Sequence, residues 1–377
     1  MSRPRGIYLR LLITVTAVLL TVGCSSLPLQ RARTEFYSGN LNEAEYILEG
    51  CKGISKKDLL LCYLEKGLIL HYMEAYEEST EVLLRASQLI KHQETISVAE
   101  QSSAVMTNDW VTTYKGEYSE RLWVHTFLMM NYLLRYMYED ALVEAKQALE
   151  VYDRYPDSLT GDHFTRALIA LCFENMNLPD DARIEYEKLA QEMGGEGPSH
   201  GSIAPGKGEL IMFISHGRAP TKVSSDVVLP PSIRISIPVY SDGSSPLPVD
   251  ITSDGGAPDA VKISTDLGQV ARKSLDDRSA QYLTRQALRA GAKETIAQVI
   301  GGKNEIGEVF SRAILFLLEE ADTRSWETLP GGLTLVRTAL DKGVHDLEIS
   351  SGGSETVHIN GIDIPEGGRV YQSIRFR

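Results

Sequence analysis

From Arg31 to about Met193, apolar residues recur every three or four positions, as at Leu59, Cys62, Tyr63, Gly67 and Leu70. Only an α-helix brings that spacing onto one face. Within the helical pattern a set of small residues returns with its large neighbours. One unit carries Gly67, Leu70, Tyr76, Ser79, Leu83 and Ala86, and a second Met129, Tyr132, Tyr138, Ala141, Ala145 and Ala148. A looser third has Ala170, Phe173, Ala182, Tyr186 and Leu189, and an opening half-unit has Phe36, Gly39, Leu41 and Ala44. Two antiparallel helices pack closely only where small residues sit at their crossing and a large one fills the groove beside them. This stretch is therefore constrained to a row of helical hairpins.

The pattern resembles tetratricopeptide (TPR) repeats. Gly39-Asn40-Leu41-Asn42-Glu43-Ala44 and Tyr138-Glu139-Asp140-Ala141 read as the turns into second helices. The spacing is irregular: Ala44 to Ser79 is 35 residues, Ser79 to Ala141 is 62 and Ala141 to Ala182 is 41, with extra helix expected around 94–118. A non-repeating all-helical domain is the alternative. The resemblance implies a concave face that binds peptides or partner domains and does no chemistry. The dense tyrosines (Tyr72, Tyr76, Tyr114 and Tyr138 among them) are expected to be half-buried packing residues, a minority lining the groove.

Residues 194–208 hold six glycines and two prolines, which no regular element tolerates, so the segment reads as a linker. Gly206-Lys207-Gly208 lies within it, but the P-loop pattern GxxxxGK(S/T) is absent. Beyond the linker the period changes. Glu209–Ser215 is a short apolar run, Ile233 to Val239 alternates, and Ala260–Ser264 is a further strand. A helical block from Asp266 to about Thr323 follows, whose apolar part Ile306–Ala321 is expected to lie against a sheet. Four short strands, Leu333–Thr338, Val344–Ser350, Glu355–Asn360 and Arg369–Arg375, close the chain with glycine turns that predict hairpins. The fold class expected is α+β: an N-terminal TPR-like solenoid, then a C-terminal mixed α/β domain with terminal β hairpins. The expected division is 1–23, 24–30, 31–193, 194–208 and 209–377: leader, tether, helical domain, linker and α+β domain.

The leader has Arg3, Arg5 and Arg10, an apolar run from Leu11 to Leu20, then Thr21-Val22-Gly23-Cys24. That order is a secretory signal, its apolar run short of the ~20 residues that span a bilayer. It resembles the lipobox of bacterial lipoproteins, which implies cleavage after Gly23 and acylation of Cys24. Ser25 and Ser26 stand where an Asp would mark inner-membrane retention, so the implied address is the outer membrane, facing the periplasm. Removing three arginines and no acid takes the formal charge from −13 to −16, which argues against nucleic acid and against a polybasic hold on lipid. Cys51, Cys62 and Cys172 remain. Buried free thiols are the favoured reading, and an oxidising periplasm would also permit a Cys51–Cys62 bridge.

Three further segments, Gly208-Glu209-Leu210-Ile211 with Gly217-Arg218-Ala219-Pro220, Ser236–Tyr240 and Ala321–Pro330, resemble a family of bacterial TPR-containing outer-membrane lipoproteins. Its members are often encoded beside lipoproteins that activate penicillin-binding proteins. The resemblance implies an interaction scaffold in envelope assembly or maintenance, with envelope proteins, among them the peptidoglycan-synthesis machinery, as partners. No catalytic or cofactor motif emerges: the eight histidines are scattered, none sits in HExxH or with zinc-ligand spacing, and no GxSxG elbow is present. The nearest thing to a site is Asp322, Arg324 and Trp326. Arg pairs with carboxylates and Trp stacks on ring faces, so the trio suits recognition of a sugar or peptide. That would make the C-terminal domain a glycan or peptidoglycan binder or a cell-wall enzyme. The same residues suit a structural role, with Asp322 bonding the loop backbone and Trp326 pinning the loop to the sheet, and this role is favoured.

Overall fold

The computed structural model describes residues 27–100, 113–195, 203–229, 233–253, 256–277, 321–352 and 355–376. The leader, Cys24, the centre of the linker, residues 101–112 of the extra segment around 94–118 and most of the block from 266 to 323 lie outside the described residues.

Eight helices make four hairpins: α1 (Leu27–Ser38) with α2 (Leu41–Ile47), α3 (Leu59–Tyr72) with α4 (Tyr76–Glu100), α5 (Tyr118–Leu134) with α6 (Tyr138–Arg154), and α7 (His163–Asn175) with α8 (Pro179–Glu192). The four turns are copies of one backbone device. Gly39, Glu74, Tyr136 and Asn177 are left-handed, with φ of 87°, 61°, 57° and 54°. After each, the next amide donates back five residues: Asn40 to Glu35, Ala75 to Leu70, Met137 to Tyr132 and Leu178 to Phe173. Such a bond closes a Schellman-type helix end and supplies an otherwise orphaned carbonyl. Five residues beyond each left-handed position stands a buried small residue: Ala44, Ser79, Ala141 or Ala182. At Gly67 a Cβ would come within 2.5 Å of Leu83 Cδ2, which is why the tightest crossing carries glycine.

The strands form three sheets. The largest has the order β5 (Ala260–Asp266), β6 (Gly332–Asp341), β1 (Lys207–His216), β9 (Arg369–Phe376). The second is β4 (Val249–Ser253), β7 (Gly343–Ser351), β8 (Glu355–Ile364), and the third is the hairpin β2 (Lys222–Leu229)–β3 (Ile233–Tyr240). Ile211 and Phe213 of β1 join the helices' core, whereas Leu210, Met212 and Ile214 join Val249, Ile251, Leu347 and Ile349 of the second sheet. The layers are therefore helices, large sheet, small sheet. Strand β1 is covered on both faces, which is why its sequence is a continuous apolar run rather than an alternation.

Three expectations are corrected. The final strands do form, but only β7–β8 is a hairpin: β6 and β7 belong to different sheets, and β9 pairs in parallel with β1. The helical and sheet halves are not separate bodies, because one core runs from Leu29 through Leu189 into Ile211, Phe213, Ile263, Leu335 and Tyr371. Helix α1 begins inside the expected tether, since Leu29 is needed in that core. In addition, Cys51 and Cys62 form a disulfide instead of remaining thiols, because the chain after α2 folds back onto the first turn of α3; Cys172 is buried and free.

Candidate functional site

Helices α3, α5 and α7 are buried almost all round, most completely α5 and α7, whereas α1 buries one face through Leu29, Ala32 and Phe36. What buries the inner face is the chain's own C-terminal half. The large sheet covers one part of it, and residues 321–330 cross another in extended form with Trp326 turned inward.

Side chains of three inner helices grip this segment mainly by its backbone. Glu65 of α3 accepts the amides of Glu327 and Thr328 at 3.1 and 3.0 Å, and Glu120 of α5 accepts that of Trp326 at 2.7 Å. From α1, Arg33 donates to the Ser325 carbonyl at 2.9 Å, to Glu327 at 2.7 Å and to Glu65 at 2.8 Å. The Tyr37 hydroxyl donates to the Glu327 carbonyl. The Trp326 ring is 1% exposed, lies 5.8 Å from the Phe127 ring and donates to Thr328 Oγ1 at 3.1 Å. Arg324 makes a fork to Asp322 at 2.8 and 2.7 Å and a further bond at 2.7 Å to Asp58, which is 2% exposed. Burial disfavours the Arg324 charge, but Asp322 and Asp58 outweigh it and hold the guanidinium above its ordinary value. Burial likewise pushes the Glu120 and Glu327 carboxyls up, against the pull of Lys222 and Arg33 respectively.

Asp322, Arg324 and Trp326 are thus brought together, but facing inward. Beside them is a cavity of about 90 Å³ lined by Leu29, Gln30, Arg33, Asp58, Thr323 and Arg324 among others. Ligand pockets run from roughly 300 Å³ upward, so it has room for a few waters and not for a sugar ring. Both of its arginines are engaged within the chain.

Two other polar clusters seal the same interface. At the far end of α7, Glu174 and Glu209 are bridged by Arg337 and Arg369, at distances of 2.6–3.0 Å across Arg369 Nη2–Glu174 and Arg337 Nη2–Glu209. Burial would raise the Glu174 carboxyl, but Arg337 outweighs it and lowers it. Between them runs a chain of bonds through the repeats. Ser79 donates to the Gly67 carbonyl at 2.7 Å, and Asn131 donates to Ser79 at 2.9 Å. His71 Nδ1 then lies 2.6 Å from Asn131 Oδ1, and its Nε2 3.1 Å from Ser373 of β9. With the Asn131 oxygen facing it, Nδ1 carries the proton and Nε2 accepts from Ser373. His125 pairs with Glu144, and His216 with Ser351 and Thr334. Among the described residues no group of three or more His, Cys, Asp or Glu could hold a metal.

Sequence reasoning found the segment and missed its holders, Arg33, Asp58, Glu65 and Glu120. One signal was present. Glu65 and Lys66 interrupt the apolar run Leu59 to Leu70, and Glu65 does so on the buried part of the helix, where a carboxylate implies a partner.

No family model and no curated protein matches the chain. Among solved structures it is similar to the TPR domain of Arabidopsis FLU, with 14% identity, 38% of this chain and 100% of that one covered, and a TM-score of 0.28. A Podosopora anserina putative kinesin light chain with TPR-like repeats shows 14% identity over 43% of this chain and 71% of its own, TM-score 0.30. The MamA protein shows 14% identity over 45% and 91%, TM-score 0.22.

Proposed function

We propose that the chain is a lipid-anchored outer-membrane protein that faces the periplasm and serves as a protein-interaction scaffold in cell-envelope assembly or maintenance, with the peptidoglycan-synthesis machinery among its partners. The lipobox-like start supports the anchor and the envelope resemblance supports the setting. The Cys51–Cys62 bridge supports an oxidising compartment, because cytosolic pools keep such thiols reduced. Among the described residues no helix is long and apolar enough to cross a membrane, so acyl chains on Cys24 are the attachment this reading requires.

The observation that carries the scaffold reading is on the outer helices. Tyr46 on α2, Val143 on α6 and Ile184 on α8 are 68%, 55% and 42% exposed, and each stands two residues after its hairpin's buried alanine. The same repeat position thus presents a large apolar side chain to solvent in three of four hairpins; Glu81 occupies it in the other. With the inner groove filled by the chain itself, partner contacts fall on this outer face. The inward-facing trio at 322–326 lends the glycan-binding or cell-wall-enzyme alternative no support.

Two measurements test the proposal. Cys24→Ala should leave the protein in the soluble periplasmic fraction or as an uncleaved precursor; retention in outer membranes at high salt would overturn the anchor. Envelope proteins that co-purify with the tethered chain should be lost on Val143→Glu with Ile184→Glu while the melt is unchanged. Equal recovery would remove the outer face as the docking surface.

A further inference from the structure

The inner helices run parallel to one another, so their N-terminal ends gather at one end of the array. There the first turn of α1 and the residues preceding α3 meet: Leu29, Gln30, Asp58 and Leu61 line one cavity. The stretch preceding α5 joins them through the Tyr114 amide, which donates to the Lys57 carbonyl at 2.9 Å. This end carries Lys52, Lys56, Lys57 and Lys115, with exposed Arg31 one turn along α1. Beside α1, α3 and α5 the nearest carboxylates are paired: Glu49 with Lys52, Glu117 with Lys222, and Asp58 and Asp322 both with Arg324, while the exposed Asp153 and Asp157 lie before α7, in the hairpins farthest along the array from α1. In a chain of net charge −13, this end is locally cationic.

Its position relative to the anchor gives the patch a partner. Only Ser25 and Ser26 separate Cys24 from Leu27, where α1 begins. Three residue steps reach at most about 11 Å even when fully extended. Acylation of Cys24 would therefore hold this end, and no other, within roughly that distance of the lipid headgroups. A Debye length is about 8 Å at physiological salt, and a lysine side chain shortens the gap, so charges near the start of α1 would come within a screening length of the surface and act on it in a salt-dependent way.

We propose that this lysine-bearing end docks on anionic phospholipid headgroups of the membrane that holds the anchor, fixing the array upright with its outer helices turned sideways. The inference rests on the anchoring reading and adds orientation to it. Whole-chain acidity does not oppose it, because a tether beside α1 selects which corner meets the surface.

The test uses the full lipidated chain in vesicles of phosphatidylcholine, with or without phosphatidylglycerol. Limited acetylation is read lysine by lysine by mass spectrometry, with Lys342 as reference because it lies in the turn at the other end of β6 from residues 321–330. Lys52, Lys56, Lys57 and Lys115 should react about five-fold more slowly on the anionic vesicles, with Lys342 unchanged and the difference erased by high salt. In a variant with Lys52→Gln, Lys56→Gln and Lys57→Gln, protection of Lys115 should also disappear. Equal rates on both vesicle types, with the chain attached and acylated, would overturn the docking and leave the anchor standing. A chain that carries no acyl mass and fails to attach would overturn both.

Discussion

Replacing Trp326 by alanine asks directly whether residues 321–330 belong to the body of the protein or to a ligand-binding surface. The indole is 1% exposed, packs near Phe127 and donates to Thr328 Oγ1. Its backbone bond to Glu120 survives the substitution, so the loss is the packed ring, the cavity it leaves and one buried hydrogen bond. Large-to-small changes of this kind destabilise by about 3–5 kcal/mol. Because one core joins the helices to the large sheet, the folded chain should melt as a unit. At about 2.1 cal/mol/K per residue, some 350 residues give an unfolding entropy near 0.7 kcal/mol/K, so the melting temperature should fall by roughly 4–7 °C. Circular dichroism at the helical band and in the near-ultraviolet, recorded on the full chain, should show the same shift. An unchanged melt would mean the ring contributes nothing to the fold and would return the segment to the solvent as a recognition loop. Two separate transitions, only one of them shifted, would refute the shared core.

The Cys51–Cys62 bridge closes a sequence separation of 11 residues, and chain-entropy reasoning assigns it about 3 kcal/mol. Reductant should lower the urea midpoint of the wild type and leave that of a Cys51→Ser, Cys62→Ser variant unmoved; a wild type indifferent to reductant would argue against the bridge. Burial lowers the His71 pKa from 6.5 to about 4, against the hydrogen bond that its Nδ1 donates to Asn131. Unfolding therefore takes up a proton between those values, so stability is fully present above pH 6.5 and declines as pH falls towards 4, by roughly 3 kcal/mol from this group. Carboxyls pushed upward by burial, such as Glu120 and Asp162, titrate with the opposite sign, so the diagnostic quantity is the difference from His71→Asn: relative to the wild type, the variant's stability should rise by roughly 3 kcal/mol as pH falls from about 6.5 to 4. Parallel pH profiles for the two proteins would overturn the assignment.

The helical hairpins were legible because their determinants are local. A left-handed turn, a buried small residue five positions on and an apolar stripe all lie within one hairpin, and each obeys a steric rule that a sequence displays. Glu74, Tyr136 and Asn177 carry the turn without glycine, so composition alone would have located only Gly39. Seven strand positions were legible from apolar runs or alternation, those at the end of the chain set off by glycine, whereas β2 and β4 were not. Sheet order was not. Strand β9 lies beside β1 because both bury one face against the helices, a pairing between residues some 160 apart that no local signal encodes. Arg324 is separated by 266 residues from Asp58, and Trp326 by 206 from Glu120. A sequence shows that Arg, Asp and Trp are close together in the chain; it does not show whether their partners are a ligand or the far half of the same molecule.

That distinction limits how this protein can bind anything through its groove. A peptide competing for Glu65, Glu120, Arg33 and Tyr37 would have to displace a segment tethered in the same chain, whose effective concentration is in the millimolar range or above for a short connection. Displacement would also expose Trp326 and leave Asp58 without its cation, and breaking a buried pair costs about 3–5 kcal/mol. The competitor would then need to gain well over what a typical exposed peptide motif supplies before occupying any groove at all. Partners on the outer helices face no such opponent. Tyr46, Val143 and Ile184 are exposed in the folded state, so contact there removes apolar surface from water without first breaking anything. With the inner face taken up as the protein's own core, the recognition proposed for it falls on the outer helices.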